Sequence, residues 1–310
     1  MSMALPEMPV LAVFGATARE LSRTGVEVVE VDIGSEASIR AALEGAEAVF
    51  ANTAFPPDVF VSQGAAAAEE AESKTALRMA HALAHVTTLK HLVWSTLPDG
   101  WKRTDGKLHI HHFQSKVAAA QFIRNEPELA KKTTMLAVGM YGSNLKNPGY
   151  VPIYETSAKK FVVKLPLRPD ASFSSIGDER KNVGILVRAI LRSGERSYDR
   201  WVVGEAHRTT MSQDVEALDR VVKEQLGNET QVAYANISLQ ESEAIWGSVA
   251  TQKAAMFQYY ELLDDAFVDA GQEGKTLYPH DLGVTGDELA TVEDCLGSFD
   301  WKNILYGRGN

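Results

Sequence analysis

With 310 residues, 45% of them hydrophobic and 23% charged, the chain carries enough apolar material for one large α/β domain or a large and a small one. A formal net charge of −10 argues against nucleic acid or an anionic membrane as the main partner, because both call for clustered Lys and Arg. One cysteine, Cys295, excludes an internal disulfide framework and reads as an inert core thiol. The lack of a basic leader and of any apolar run near roughly 20 residues predicts a cytoplasmic protein.

The first predicted element is the apolar run from Val10 to Phe14, which ends at Gly15 and Thr17. A short β-branched and aromatic run closed by glycine reads as a buried parallel strand that turns toward a ligand at its carboxyl end. Nucleotide-binding α/β domains begin this way, but two further glycines should follow so that backbone can approach a pyrophosphate. Here Ala18 to Thr24 intervene before Gly25.

Val26 to Asp32 alternates and predicts a second strand, and Ala37 to Leu43 predicts a short helix behind the cap Ser35. Glu47 to Thr53 predicts a third strand that ends in a loop at Pro56-Pro57-Asp58. A long Ala-rich helix is expected over Gln63 to Val86, then the strand His91 to Thr96, the helix Gln114 to Arg124 and the strand Thr133 to Gly139. Such alternation predicts a doubly wound parallel sheet. From about Tyr141 the rhythm changes: short strands at Lys160 to Leu165, Arg200 to Gly204 and Val232 to Ala235 are separated by helices at Asn182 to Arg192 and Gln213 to Gln225. Helices around Gln240 to Trp246, Ala254 to Asp269 and Gly286 to Leu296 complete the chain.

Several side chains fall where such a sheet collects chemistry. His112 and Lys116 are spaced one helical turn apart on one face, so that an imidazole able to act as acid or base lies near an ammonium able to bind a hydroxyl or carbonyl. Ser95 and Thr96 end one predicted strand and Asn52 and Thr53 end another, on the side where open α/β sheets bind ligands. Tyr141 and Asn144 follow a further strand end and are candidates to line a substrate pocket. His81 and His85, and the group His109, His111 and His112, lack the H-E-x-x-H pattern or a carboxylate triad, so no metal is predicted. No G-x-S-x-G elbow supports serine hydrolase chemistry.

The ordered segments V-F-G-A-T, G-V-E-V-V-E-V-D, A-V-F-A-N-T, H-L-V-W-S-T-L-P, H-H-F-Q-S-K, T-T-M-L-A-V-G-M-Y-G-S-N and S-S-I-G-D-E-R-K-N-V-G span nearly the whole chain. In this order they resemble the NmrA-like atypical short-chain dehydrogenases, especially their fungal members. The resemblance implies a Rossmann-like domain over residues 1–145 and a smaller mixed, substrate-covering lobe over residues 146–310 that shares elements with the main sheet. It also implies NADP(H) or NAD(H) as cofactor, with Gly15 and Thr17 left from the phosphate turn, Asp32 at the adenine, and Asn52, Thr53 and Lys116 near the nicotinamide ribose. His112 stands where related dehydrogenases carry a proton-donating Tyr.

The departure from the family is at Thr17, where about 30 residues are missing relative to its usual G-A-T-G-x-x-G opening, roughly one strand-helix-strand unit. A genuine deletion or splice form, an engineered chain, or an internal segment omitted from the sequence would each produce it. The resemblance implies an NAD(P)H-dependent reductase of a small carbonyl or conjugated secondary metabolite, acting through Lys116, His112 and Ser95, with Thr96, Tyr141 and Asn144 at the substrate. The alternatives are a non-catalytic NADP(H)-sensing regulator with a protein partner, and a cofactor-independent isomerase, cyclase or lyase that reuses the cleft.

Overall fold

A computed structural model describes residues 11–13 and 27–307 of the chain. The predicted turn residues Gly15 and Thr17 therefore lie outside the described residues. The chain opens with strand β1 (Leu11–Val13), helix α1 (Glu36–Ala42) and strand β2 (Ala48–Ala51). Helices α2 (Pro57–Gln63) and α3 (Ala65–Ala84) lead to β3 (His91–Thr96). After α4 (Gly100–Arg103), α5 (His111–Asn125) and α6 (Pro127–Ala130) come β4 (Thr133–Val138) and β5 (Met140–Tyr141). Next are β6 (Ile153–Glu155), β7 (Lys160–Leu165), β8 (Ser172–Gly177), α7 (Glu179–Ser193), β9 (Arg200–Gly204) and β10 (His207–Thr210). The chain closes with α8 (Met211–Leu226), β11 (Val232–Asn236), α9 (Leu239–Trp246), α10 (Ser248–Leu262), β12 (Thr276–Leu277), α11 (Val292–Gly297) and α12 (Trp301–Tyr306).

These elements form a Rossmann-like arrangement whose six-stranded parallel sheet has the order β1-β2-β3-β4-β9-β12, flanked by helices. All six residues of β3 and all six of β4 are buried, as expected for strands covered on both faces. Two three-stranded sheets accompany it, one ordered β10-β8-β5 and the other β11-β7-β6, and these supply the mixed parallel and antiparallel pairing of the C-terminal half.

The chain divides into two compact units, one of Met1–Leu97, His112–Leu136 and Ile190–Trp201, the other of Pro98–His111, Ala137–Ala189 and Val202–Asn310. In the first, β1 pairs in parallel with β2 and β2 with β3, with Ala51 opposite Trp94. In the second, α8 packs a face of Met211, Val215, Leu218, Val221 and Val222, and Phe257, Tyr259 and Tyr260 of α10 are buried.

Over the described residues 27–32, the strand predicted for Val26 to Asp32 is not formed. Residues 27–32 have no regular structure, and Val28 and Val29 are 42% and 51% exposed. Alternation makes a strand only where a sheet edge accepts it, and among the described residues β1 pairs with β2 alone. Local hydrogen bonds hold the end of this segment instead: the Asp32 amide donates to Ser38 Oγ at 3.0 Å, and Asp32 Oδ1 accepts from the Gly34 amide at 2.8 Å. The segment thus becomes the lead-in to α1, which Ser35 caps as predicted.

Candidate functional site

The carboxyl ends of β2 and β3 lie side by side, because their parallel register sets Ala51 opposite Trp94, with Asn52 and Thr53 following β2 and Ser95 and Thr96 closing β3. Thr53, Ser95 and Thr96 are buried and Asn52 is half-buried. The Thr96 hydroxyl donates to the Leu97 carbonyl at 3.3 Å.

Helix α5 begins at His111, three residues before its predicted start, so both His112 and Lys116 are helical. Its inner face carries Phe113, Ser115, Lys116, Ala119, Ala120 and Ile123. Lys116 is only 9% exposed, and its Nζ donates to the Thr53 carbonyl at 3.0 Å and to Thr53 Oγ1 at 3.4 Å. Its third partner is Glu72 Oε1 of α3, which sequence reasoning missed.

Glu72 is 2% exposed and satisfied on both oxygens. Oε1 also accepts from Thr53 Oγ1 at 2.7 Å, and Oε2 accepts from Ser115 Oγ at 2.6 Å. Burying either ion alone costs several kcal/mol, and the arrangement is tolerable because each offsets the other and both carboxylate oxygens and the ammonium have further hydrogen-bond partners. One signal in the sequence pointed to Glu72. Ala68, Ala76 and Ala80 form a stripe at helical spacing, and Glu72 falls within it, four residues from each neighbour.

His112 is half-buried one turn before Lys116, with its ring edge-on to Phe55 at 6.2 Å and to Phe113 at 4.9 Å. Its carbonyl lies 3.1 Å from Ser115 Oγ and shares the one hydroxyl hydrogen that points mainly to Glu72. Asp32 is exposed in the turn before α1, no longer at a strand end. The structure therefore gathers Asn52, Thr53, Ser95, Thr96, His112 and Lys116 within the first unit. Tyr141 and Asn144 belong to the second: Tyr141 lies on β5, 41% exposed, and Asn144 is half-buried in the 3₁₀ turn Gly142–Lys146.

Other polar groups form structural hubs. Asp178, Glu179 and Cys295 offer ligand atoms within 4.8 Å of one another. Arg180 fills both oxygens of the buried Asp178 (2.8 and 3.0 Å) and donates to Ser298 Oγ at 2.7 Å, while burial pushes the Cys295 thiol up to about 12. Burial thus disfavours the thiolate, which is the reactive form. Among the histidines, His81 stacks on Phe122 at 4.2 Å, and His109 lies edge-on to Trp101 at 6.1 Å and to His111 at 4.8 Å.

Comparison with known proteins adds a family and a set of folds. The family model described as "NmrA-like family" matches residues 13–285. NmrA, a negative transcriptional regulator solved in complex with NADP, superposes with a TM-score of 0.64 at 16% identity, covering 93% of this chain and 86% of that one. The NADPH-dependent quinone oxidoreductase QOR2 of Escherichia coli, complexed with NADPH, gives 0.58 at 15% identity, covering 94% and 90%. The triphenylmethane reductase of Citrobacter sp., complexed with NADP(H), gives 0.58 at 14% identity, covering 94% and 91%. At these identities the likeness is one of fold.

Proposed function

Because this chain belongs to the NmrA-like family, we propose that it binds NADP(H) or NAD(H) and reduces a small carbonyl or conjugated metabolite at the carboxyl ends of β2 and β3. The observation that carries this reading is the buried Lys116, whose Nζ is bonded to the Thr53 carbonyl at the end of β2. The donor set there suits the ribose and amide end of a nicotinamide nucleotide: the Asn52 amide, the Ser95 and Thr96 hydroxyls and the Thr53 backbone offer both donors and acceptors. For the pyrophosphate the sequence retains Gly15 and Thr17 but lacks the two further glycines, so close backbone approach there relies on a different segment.

The bound nicotinamide would supply the hydride. Ser95 would donate a hydrogen bond to the substrate carbonyl, and His112 would hold the proton at its imidazole. Lys116 keeps a fixed positive charge beside the end of β2. Support for a second reading, a regulator that senses NADP(H) without turnover and binds a protein partner, comes from the same lysine: all three of its hydrogens have acceptors within the protein. NmrA is itself described as a negative transcriptional regulator.

Calorimetry with NADPH and NADH, followed by NADPH oxidation against a panel of aldehydes, ketones and enones, separates these readings. Micromolar binding with turnover is the expected result. Binding without turnover of any carbonyl would move the assignment to the regulator, and no binding of either nucleotide would overturn both.

A further inference from the structure

We propose that Glu72 is a positioning residue of this site: through its ion pair with Lys116 it fixes the lysine as a brace on the Thr53 carbonyl, and so sets the end of β2 for its ligand. The nucleotide arm of this proposal rests on the function proposed above. Three elements meet at the pair. Glu72 projects from α3, Lys116 and Ser115 from α5, and Thr53 follows β2. The lysine's three hydrogens go to Glu72 Oε1, the Thr53 carbonyl and Thr53 Oγ1, so none remains for a nucleotide hydroxyl while the pair is closed. Thr53 is held from two directions, its carbonyl by Lys116 and its hydroxyl by Glu72 Oε1 at 2.7 Å.

Ser115 completes the set by occupying Oε2 at 2.6 Å. A glutamine in place of Glu72 keeps the shape and an acceptor oxygen but leaves the ammonium buried without its counter-ion. The lysine would then swing toward water, and the Thr53 carbonyl would lose its brace while the Thr53 hydroxyl kept an acceptor. The other ionisable groups on these elements nearest in sequence are Glu69, Glu70 and Lys74, on either side of Glu72 on α3, and His112, one turn before Lys116 on α5. Glu70 is exposed and paired with Lys74 at 2.5 Å. It does not replace Glu72.

The test combines nucleotide affinity with an unfolding cycle, using Glu72→Gln, Lys116→Met and the double variant in the full chain. Glu72→Gln, with its fold checked by circular dichroism, is expected to raise the NADPH Kd by roughly tenfold or more, whereas a purely structural role would leave the folded protein's Kd within about twofold. In urea the two single variants should each lower the midpoint, and the double should be no less stable than either single, because it leaves no unpaired charge. An unchanged Kd for Glu72→Gln, or additive losses in the cycle, would overturn the proposal. If the wild-type chain binds neither NADPH nor NADH, the cofactor reading falls, and the unfolding cycle alone decides whether Glu72 and Lys116 act as one unit.

Discussion

Lys116→Met leaves the Glu72 carboxylate in a place that water does not reach, where both its oxygens were bonded in the native chain. We expect a loss of roughly 3–5 kcal/mol, seen as a lower urea midpoint at unchanged slope; a loss under about 1 kcal/mol would show that the carboxylate is relieved in another way. Gly177 is a second residue with no tolerance. Its φ is +67°, and a Cβ there would lie 2.1 Å from the Ala290 carbonyl oxygen. Gly177→Ala should cost at least about 2 kcal/mol by thermal unfolding, from backbone strain and from the displaced segment. The i, i+4 spacing of His112 and Lys116 was legible in the sequence, and so were the strand-end positions of Thr53, Ser95 and Thr96. The partner of Lys116 was not. The stripe of Ala68, Ala76 and Ala80 sets Glu72 apart from Glu69 and Glu70 as the inward-facing acid, but no local pattern says that Lys116 is what it meets.

At the scale of elements, helix α8 shows how much local chemistry can fix. Thr210 caps it, with the Gln213 amide donating to Thr210 Oγ1 at 3.3 Å and the Gln213 side chain accepting from the Thr210 amide at 2.9 Å. Removing the cap by Thr210→Ala is expected to cost about 1 kcal/mol in the unfolding free energy, and no change would mean that packing alone holds the first turn. Strands β7 and β9 coincide with their predicted limits, because each is a compact apolar run bounded by turn residues. Strand β8 went unread: Ser172-Phe173-Ser174-Ser175-Ile176-Gly177 has too few apolar residues to signal burial. Its serines are acceptable inside because they are bonded, Ser174 Oγ to Glu205 at 2.5 Å and Ser175 Oγ to the Met140 carbonyl at 3.2 Å. The converse holds for Val28 and Val29, which pattern as a strand but lie exposed. Replacing either by Thr should shift stability by less than about 0.5 kcal/mol, whereas a sheet position would lose more.

For the molecule as a whole, two buried groups give stability opposite slopes in the same pH range. His91 is enclosed, and burial lowers its pKa to about 4. The Thr134 hydroxyl donates to the Ser197 carbonyl at 2.7 Å, so at 2.9 Å its oxygen accepts from a neutral His91 protonated on Nε2. Between about 6.5 and about 4 the unfolded chain binds a proton that the folded chain refuses, so His91 causes stability to fall as pH drops through that window. Asp214 behaves oppositely: burial raises it to about 7, the folded chain binds its proton first, and stability rises as pH falls from about 7 toward 3.8. His91→Gln should therefore flatten the acid-side loss and Asp214→Asn should remove the gain, both read from urea midpoints taken across pH 4 to 7. Equal pH profiles for the two variants would refute this division. The sequence by itself determined the fold class, most of the helices and buried strands, and the set of polar residues at strand ends, because period, capping and burial propensity are local properties of the chain. Only the tertiary structure decided that residues 27–32 join no sheet, that Ser172–Gly177 does, and that Lys116 faces Glu72. Each of these depends on which distant segment supplies the hydrogen-bonding edge or the counter-ion, and a pairing between residues tens of positions apart leaves no period in the sequence.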